Sequence, residues 1–186
     1  ITNAIASRMP FVISKVENKQ YLPTNGRKYM KKIYNLRSRI VHGDKLKDKD
    51  IYIEILCECK KRVLIMVYRR KKLSEHLSRN EIRDFLNSFG YDSDAQLCDK
   101  ILILKERIAN NESFPHEIGA FLGYPLHDIY GFINHRNDGC LLTADWKVYE
   151  DEDGAKKLFA RYNKCRHALL AQLKGGKTLA QIFCAA

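Results

Sequence analysis

From residue 51 to residue 89 the hydrophobic period changes once, and that change restricts the fold more than any other feature of the sequence. Ile51, Ile53, Ile55 and Cys57 alternate with Tyr52, Glu54, Leu56 and Glu58, the period of two that a half-buried strand requires. Lys60-Lys61-Arg62 would then turn the chain, and Val63 to Tyr68 is an unbroken β-prone run suited to a central or well-covered strand. Beyond it the spacing becomes helical. Ile82, Phe85, Leu86 and Phe89 form one stripe closed by Gly90, and Leu97, Ile101, Leu104 and Ile108 form the next. Phe114-Pro115 opens a shorter helix that stops near Gly123, and Pro125 starts another that carries Leu126, Ile129, Tyr130 and Ile133. Trp146 to Tyr149 reads as a short strand. A long helix follows from about Asp151 to Leu173, with Ala155, Leu158, Phe159 and Tyr162 on one side, acids in its first turn, and Gly175-Gly176 at its end. A hairpin with many helices gives an α+β fold, predominantly helical, in which a small antiparallel hairpin or sheet is packed by helices. Trp146, Phe121 and Phe159 are expected in one core or in adjoining parts of it.

The first fifty residues differ in character. Met30, Ile33, Tyr34 and Val41 recur at helical spacing, Gly43 follows, and the charged run from Asp44 to Asp50 breaks the pattern as a linker or exposed loop would. Two parts are therefore expected: residues 1–50, a basic helical segment, and residues 51–186, a compact α+β domain. Charge divides in the same way. Residues 1–50 hold 12 Lys and Arg against 4 Asp and Glu, so they supply +8 of the chain's net +11. A positive excess of this size favours polyanion partners, chiefly nucleic acid, and a merely solubilising surface is the other reading.

No stretch approaches the roughly 18 consecutive apolar residues of a membrane helix, so no membrane partner is expected. The start, Ile1-Thr2-Asn3-Ala4, has neither the basic region nor the cleavage site of a signal peptide. Cytoplasmic placement is the expectation, with all six cysteines reduced. There is no C-x-x-C pair. Cys57 and Cys59 would share one face of a strand, where packing is favoured over metal binding because no second pair completes a site. Neither a metal nor a cofactor is expected.

Two stretches resemble known families. The longer runs from Tyr52 to Phe183. Its core is Phe114-Pro115-His116-Glu117-Ile118-Gly119-Ala120-Phe121-Leu122-Gly123-Tyr124-Pro125, then Asp128 and Gly131-Phe132-Ile133. Trp146-Lys147-Val148-Tyr149, Ala155-Lys156-Lys157-Leu158-Phe159 and Tyr162-Asn163-Lys164-Cys165 follow. This resembles an uncharacterised bacterial family, mostly of anaerobic Gram-positive organisms, for which no catalytic residue is established. The shorter stretch, Tyr34-Asn35-Leu36-Arg37-Ser38-Arg39-Ile40-Val41-His42-Gly43, resembles the closing helix of HEPN domains, particularly those of bacterial antiphage proteins, with Phe11-Val12 at the end of the preceding helix. The resemblance implies a defence or toxin setting, and it implies Arg37 and His42 as the catalytic pair of a metal-independent endoribonuclease acting from a dimer interface.

The chemistry of that pair is sound: a near-neutral imidazole suits a base at a 2′-hydroxyl, and an Arg fork suits the phosphate. Spacing alone says little, since Arg69 and Arg70 with His76, and Arg161 with His167, are similarly spaced. Position says more. At about 100° per residue Arg37 lies near the centre of the Met30, Ile33, Tyr34 and Val41 stripe, either paired in a core or placed at an interface. His42 would lie about 140° away on a continuing helix, so convergence needs a helix end or a second subunit.

Residues 60–73 contain seven basic side chains and no acid. Lys60, Lys61 and Arg62 precede the apolar run, and Arg69, Arg70, Lys71 and Lys72 follow it, roughly 20 Å away. Two patches at that distance suit a nucleic-acid backbone, and they equally suit gatekeeping of an aggregation-prone strand. Other motifs are incomplete. His116-Glu117 lacks the second His of H-E-x-x-H, since Ala120 stands there, and Glu117 reads as ordinary chemistry of a helix start. The glycines lack the spacing and Lys of a P-loop. The expected function is nucleic-acid association, with RNA foremost and catalysis unproven. The alternative is a non-enzymatic adaptor or inhibitor that binds a protein partner or a second copy.

Overall fold

The computed structural model describes residues 11–14, 50–58, 63–110, 114–136, 138–177 and 181–182. Three strands, β1 (Phe11–Ser14), β2 (Ile51–Glu58) and β3 (Val63–Arg69), form one sheet in the order β1-β3-β2, with both pairings antiparallel. The continuous apolar run is thus the central strand, as a strand with neighbours on both sides should be. β1 falls where a helix end was expected, at Phe11-Val12, and that expectation is corrected: Phe11 pairs with Val67 and Val12 with Met66. Four residues are too few for periodicity to separate strand from helix, and β-branched Val12 and Ile13 suit the ladder.

The β2–β3 register is regular from Ile51↔Arg69 to Ile55↔Ile65 and then shifts between Ile55 and Cys57. The extra residue of this bulge, Leu56, is buried. Alternation in the sequence marks β2 as a strand and leaves open which face the helices cover. In the structure Leu56, Met66 and Tyr68, with Tyr52 and Leu64 beside them, pack against the helices, while Ile53, Ile55 and Ile65 are half-buried. Glu54 disguises this face. It lies on the helix side and pairs with Lys105 of the third helix.

β3 passes into α1 (Arg70–Leu77) with no residue between them. Asp50, expected to close an exposed linker, fixes this corner. It has φ 58°, its carbonyl accepts from Arg70 N, and its carboxylate accepts from Lys71 N at 3.0 Å, capping the helix from a distant part of the chain. α2 (Asn80–Asn87), α3 (Leu97–Asn110), the short α4 (Ile118–Phe121) and α5 (Leu126–His135) follow. A small hairpin, β4 (Leu142–Thr143) and β5 (Lys147–Val148), precedes the long α6 (Glu152–Lys174). The fold is α+β and predominantly helical.

The larger core joins the sheet to α1–α5 and contains Phe85, Leu104 and Phe121. A smaller one gathers Trp146, Val148, Ala155 and Phe159. Tyr124 packs against both, so Trp146, Phe121 and Phe159 occupy adjoining cores. Two polar ties cross the larger core. The Nε2–H of His76 donates to the Ala120 carbonyl at 2.9 Å, and burial pushes this imidazole below its ordinary pKa and keeps it neutral. Glu117, 1% exposed, pairs with Arg107 and accepts from the Tyr91 hydroxyl, whose pKa burial raises. Glu117 is therefore a buried partner that joins α3 to α4, not the helix-start acid its sequence position suggested. Among the described residues no helix is long and apolar enough to cross a membrane.

Candidate nucleic-acid interface and a polar groove

The β3–α1 corner carries four consecutive cations. Arg70, Lys71 and Lys72 are exposed and Arg69 is half-exposed. The Arg70 guanidinium lies 5.8 Å from the Tyr52 ring centroid, and Tyr52 stacks in turn on Tyr68. Lys72 makes an exposed pair with Glu75 at 3.2 Å, a contact worth little in water. Because the Asp50 carboxylate already accepts from Lys71 N, an approaching phosphate would be met here by side chains rather than by the helix terminus. The structure brings Arg69, Arg70, Lys71 and Lys72 together at one end of β3. Lys60, Lys61 and Arg62, expected at its other end, lie outside the described residues, and so do Arg37, His42 and Cys59.

A second constellation is centred on Asp128. This side chain is 2% exposed, yet its carboxylate accepts three hydrogen bonds: from Trp146 Nε1 at 2.8 Å, from Tyr149 N at 2.7 Å and from Glu150 N at 3.3 Å. It thereby ties the segment after β5 to the first turn of α5. His127 Nε2 stands 3.6 Å from the same carboxylate. On α5, Ile129 points inward, while His127, Tyr130, Gly131 and Asn134 follow one another at i, i+3, i+4 and i+7 along the outer face.

That outer face floors a groove with two lobes. The larger, about 730 Å³, is walled by Tyr130, Asn134, His135, Asp138 and Tyr149. The smaller, about 310 Å³, is walled by Pro125, Asp151, Leu158, Lys157 and Arg161. His127 and Glu150 border both lobes and form the waist between them. Tyr149 lies flat against Gly131 and donates its hydroxyl to the Arg136 carbonyl. Its phenol is raised above the ordinary value, first by desolvation, so it stays a donor. Three non-glycine residues among the described ones have positive φ, and two of them, Arg136 (52°) and Asp151 (45°), sit beside the groove. Backbone strain of this kind concentrates where a site must be held in one shape.

Gly131 permits the Tyr149 contact, because a Cβ there would overlap the ring. Gly131→Ala is expected to cost about 1 to 3 kcal/mol by overpacking. Chemical denaturation checks this, and in a Tyr149→Ala background the same substitution should cost much less.

The sequence reading named Asp128, Gly131 and Tyr149 within a family pattern and gave none of them a role. It did not single out His127, His135, Asp138 or Glu150. The signal was present: a polar stripe, His127, Asn134 and His135, runs opposite the apolar Leu126, Ile129 and Ile133 on the same helix. Among the described residues no three His, Cys, Asp or Glu side chains are grouped so that they could hold a metal ion. No curated protein and no solved structure matches the chain. Residues 13–183 match a family described as protein of unknown function, and this match begins within β1 and takes in the groove. By that match the chain belongs to DUF3793.

Proposed function

We propose that this protein binds nucleic acid, RNA foremost, through the basic corner where β3 becomes α1. The observation that carries the reading is the run Arg69–Lys72, four cations presented at a strand end that Asp50 and the sheet hold rigid. Lys60, Lys61 and Arg62 are a second set of phosphate contacts in the proposal, and the strongly basic first fifty residues add to the positive field of the chain. Point charges of this sort engage phosphates and read no bases.

A titration against labelled single-stranded RNA and DNA at two salt concentrations tests it. Affinity should fall with salt, the logarithmic slope gaining about 0.7 for each phosphate neutralised on a single strand. Arg70→Glu with Lys71→Glu should weaken binding to all sequences alike and flatten that slope. Absence of binding at low salt, or binding that ignores salt, would overturn the reading. Any cleavage belongs in this proposal to Arg37 and His42 as a metal-independent endoribonuclease. Arg37→Ala or His42→Ala should then abolish cutting in EDTA and leave binding intact.

A second reading, a protein-binding adaptor, is favoured by α6, which exposes Leu170 and Leu173 in its last two turns. It gains if RNA binding fails.

A further inference from the structure

We propose that the groove over α5 binds a ribonucleotide unit, with the base in the larger lobe, the phosphate in the smaller one and the ribose at the waist. The inference goes beyond the basic corner and does not depend on it. A free nucleotide and a nucleotide within an RNA strand present the same chemistry to the groove.

The larger lobe has the size of a small-molecule site, for which roughly 300–1,000 Å³ is usual. Its walls offer π-faces. The Tyr130 ring is 46% exposed although its other side meets Phe85 edge-on, and the His135 ring stands 6.4 Å from that of Tyr149. Bases of any identity stack on such surfaces. Asn134, with an amide that both donates and accepts, and Asp138, an acceptor, stand where a base edge would lie.

The smaller lobe has the complementary chemistry. Lys157 and Arg161 are one turn apart on α6 and exposed, and neither makes an ion pair among the described residues. Three carboxylates, Asp128, Glu150 and Asp151, line this lobe as well and keep their negative charge, but the two Asp ones are turned to donors of their own. Asp128 accepts its three hydrogen bonds, and Asp151 accepts from Gly154 N at 3.1 Å as the N-cap of α6. An ammonium and a guanidinium that share one small cavity suit a phosphate, and the guanidinium can grip it by two oxygens. At the waist Glu150 can accept from ribose hydroxyls, and His127 can donate to the sugar or to the phosphate. Two residues with positive φ, Arg136 and Asp151, lie next to the larger and the smaller lobe respectively.

The experiment uses the full chain and its single tryptophan, Trp146, whose Nε1 donates to Asp128 at the edge of the smaller lobe. Its fluorescence is followed during titration with the four ribonucleoside monophosphates, their deoxy counterparts, adenosine and inorganic phosphate. A ribonucleotide should bind about tenfold or more tighter than adenosine or phosphate alone, since it fills both lobes. Its deoxy counterpart should bind several-fold more weakly. Lys157→Ala with Arg161→Ala should reduce nucleotide affinity to that of the nucleoside and leave the nucleoside unchanged, whereas Tyr130→Ala should weaken both. These three side chains are exposed, so the variants should fold.

Nucleotide affinity no greater than that of inorganic phosphate overturns the proposal, as does a Tyr130→Ala variant that binds normally. A single-stranded oligoribonucleotide that displaces the mononucleotide assigns the groove to a unit of RNA. An oligomer that fails to displace it assigns the groove to a free nucleotide, and either result supports the site. Arg70→Glu with Lys71→Glu should leave mononucleotide binding unaltered. Oligonucleotide binding that persists where no mononucleotide binds overturns the groove and leaves the corner standing.

Discussion

Asp128→Ala is expected to lower the stability of the protein by about 3 to 5 kcal/mol, because one substitution leaves three donors without an acceptor where water has little access. The Trp146 indole N–H and the amides of Tyr149 and Glu150 all point at this carboxylate. Urea denaturation followed at Trp146 gives the loss as a drop in midpoint with unchanged slope. Asp128→Asn should fall between wild type and alanine. It keeps one oxygen for the two amides but turns an NH₂ toward the indole donor. A loss below about 1 kcal/mol for the alanine variant would mean that water reaches the donors, and Asp128 would cease to be the tie between α5 and the segment after β5.

Trp146→Ala should cost about as much, 3 to 5 kcal/mol, for a different reason: it removes the centre of the smaller core. The indole stacks on Tyr124 at 4.6 Å between centroids, meets Phe159 at 4.3 Å and faces Tyr162 at 6.2 Å. The Tyr162 phenol, pushed up to about 12 mainly by burial, belongs to the same environment. Trp146→Phe keeps a ring in the stack but loses the donor and part of the ring volume, so a smaller loss of about 2 to 3 kcal/mol is expected. The two effects overlap at one hydrogen bond. A double-mutant cycle between Asp128 and Trp146 should show a coupling of about 1 to 3 kcal/mol, and additivity would contradict the described contact.

Sequence periodicity located most of the helices because each buries a single stripe. Ile82, Phe85 and Leu86 on α2 and Leu97, Ile101 and Leu104 on α3 all lie in the core. The central position of β3 followed from its unbroken apolar run. The face of β2 did not, because Leu56 reaches the core through a bulge and Glu54 is tolerated on the helix side only by pairing with Lys105. No alternation can announce a partner fifty residues away. The start of α1 was hidden for a related reason. Its N-terminal cap is supplied by Asp50, so no capping residue stands before Arg70. The groove was least legible. It consists of exposed polar residues on α5, in the segment that follows β5 and on α6, brought together by one buried carboxylate whose partners are distant in sequence. By contrast the basic cluster at 69–72 was visible at once, since contiguous charge needs no fold to bring it together.

The strand order has a consequence for how the chain assembles. β2 and β3 are close in sequence, and α1 follows without a break, so this hairpin and its helix can form locally. β1 cannot. Phe11 must find Val67, and on a ribosome it emerges long before that partner exists. β1, made before β3, must close a far longer loop to reach it than β2 does. Until then β3 presents an unpaired, apolar edge, which is the kind of edge on which half-made chains stick to one another. Basic side chains at the end of such a strand, as at Arg69 to Lys72, are of the kind that discourages edge-to-edge pairing.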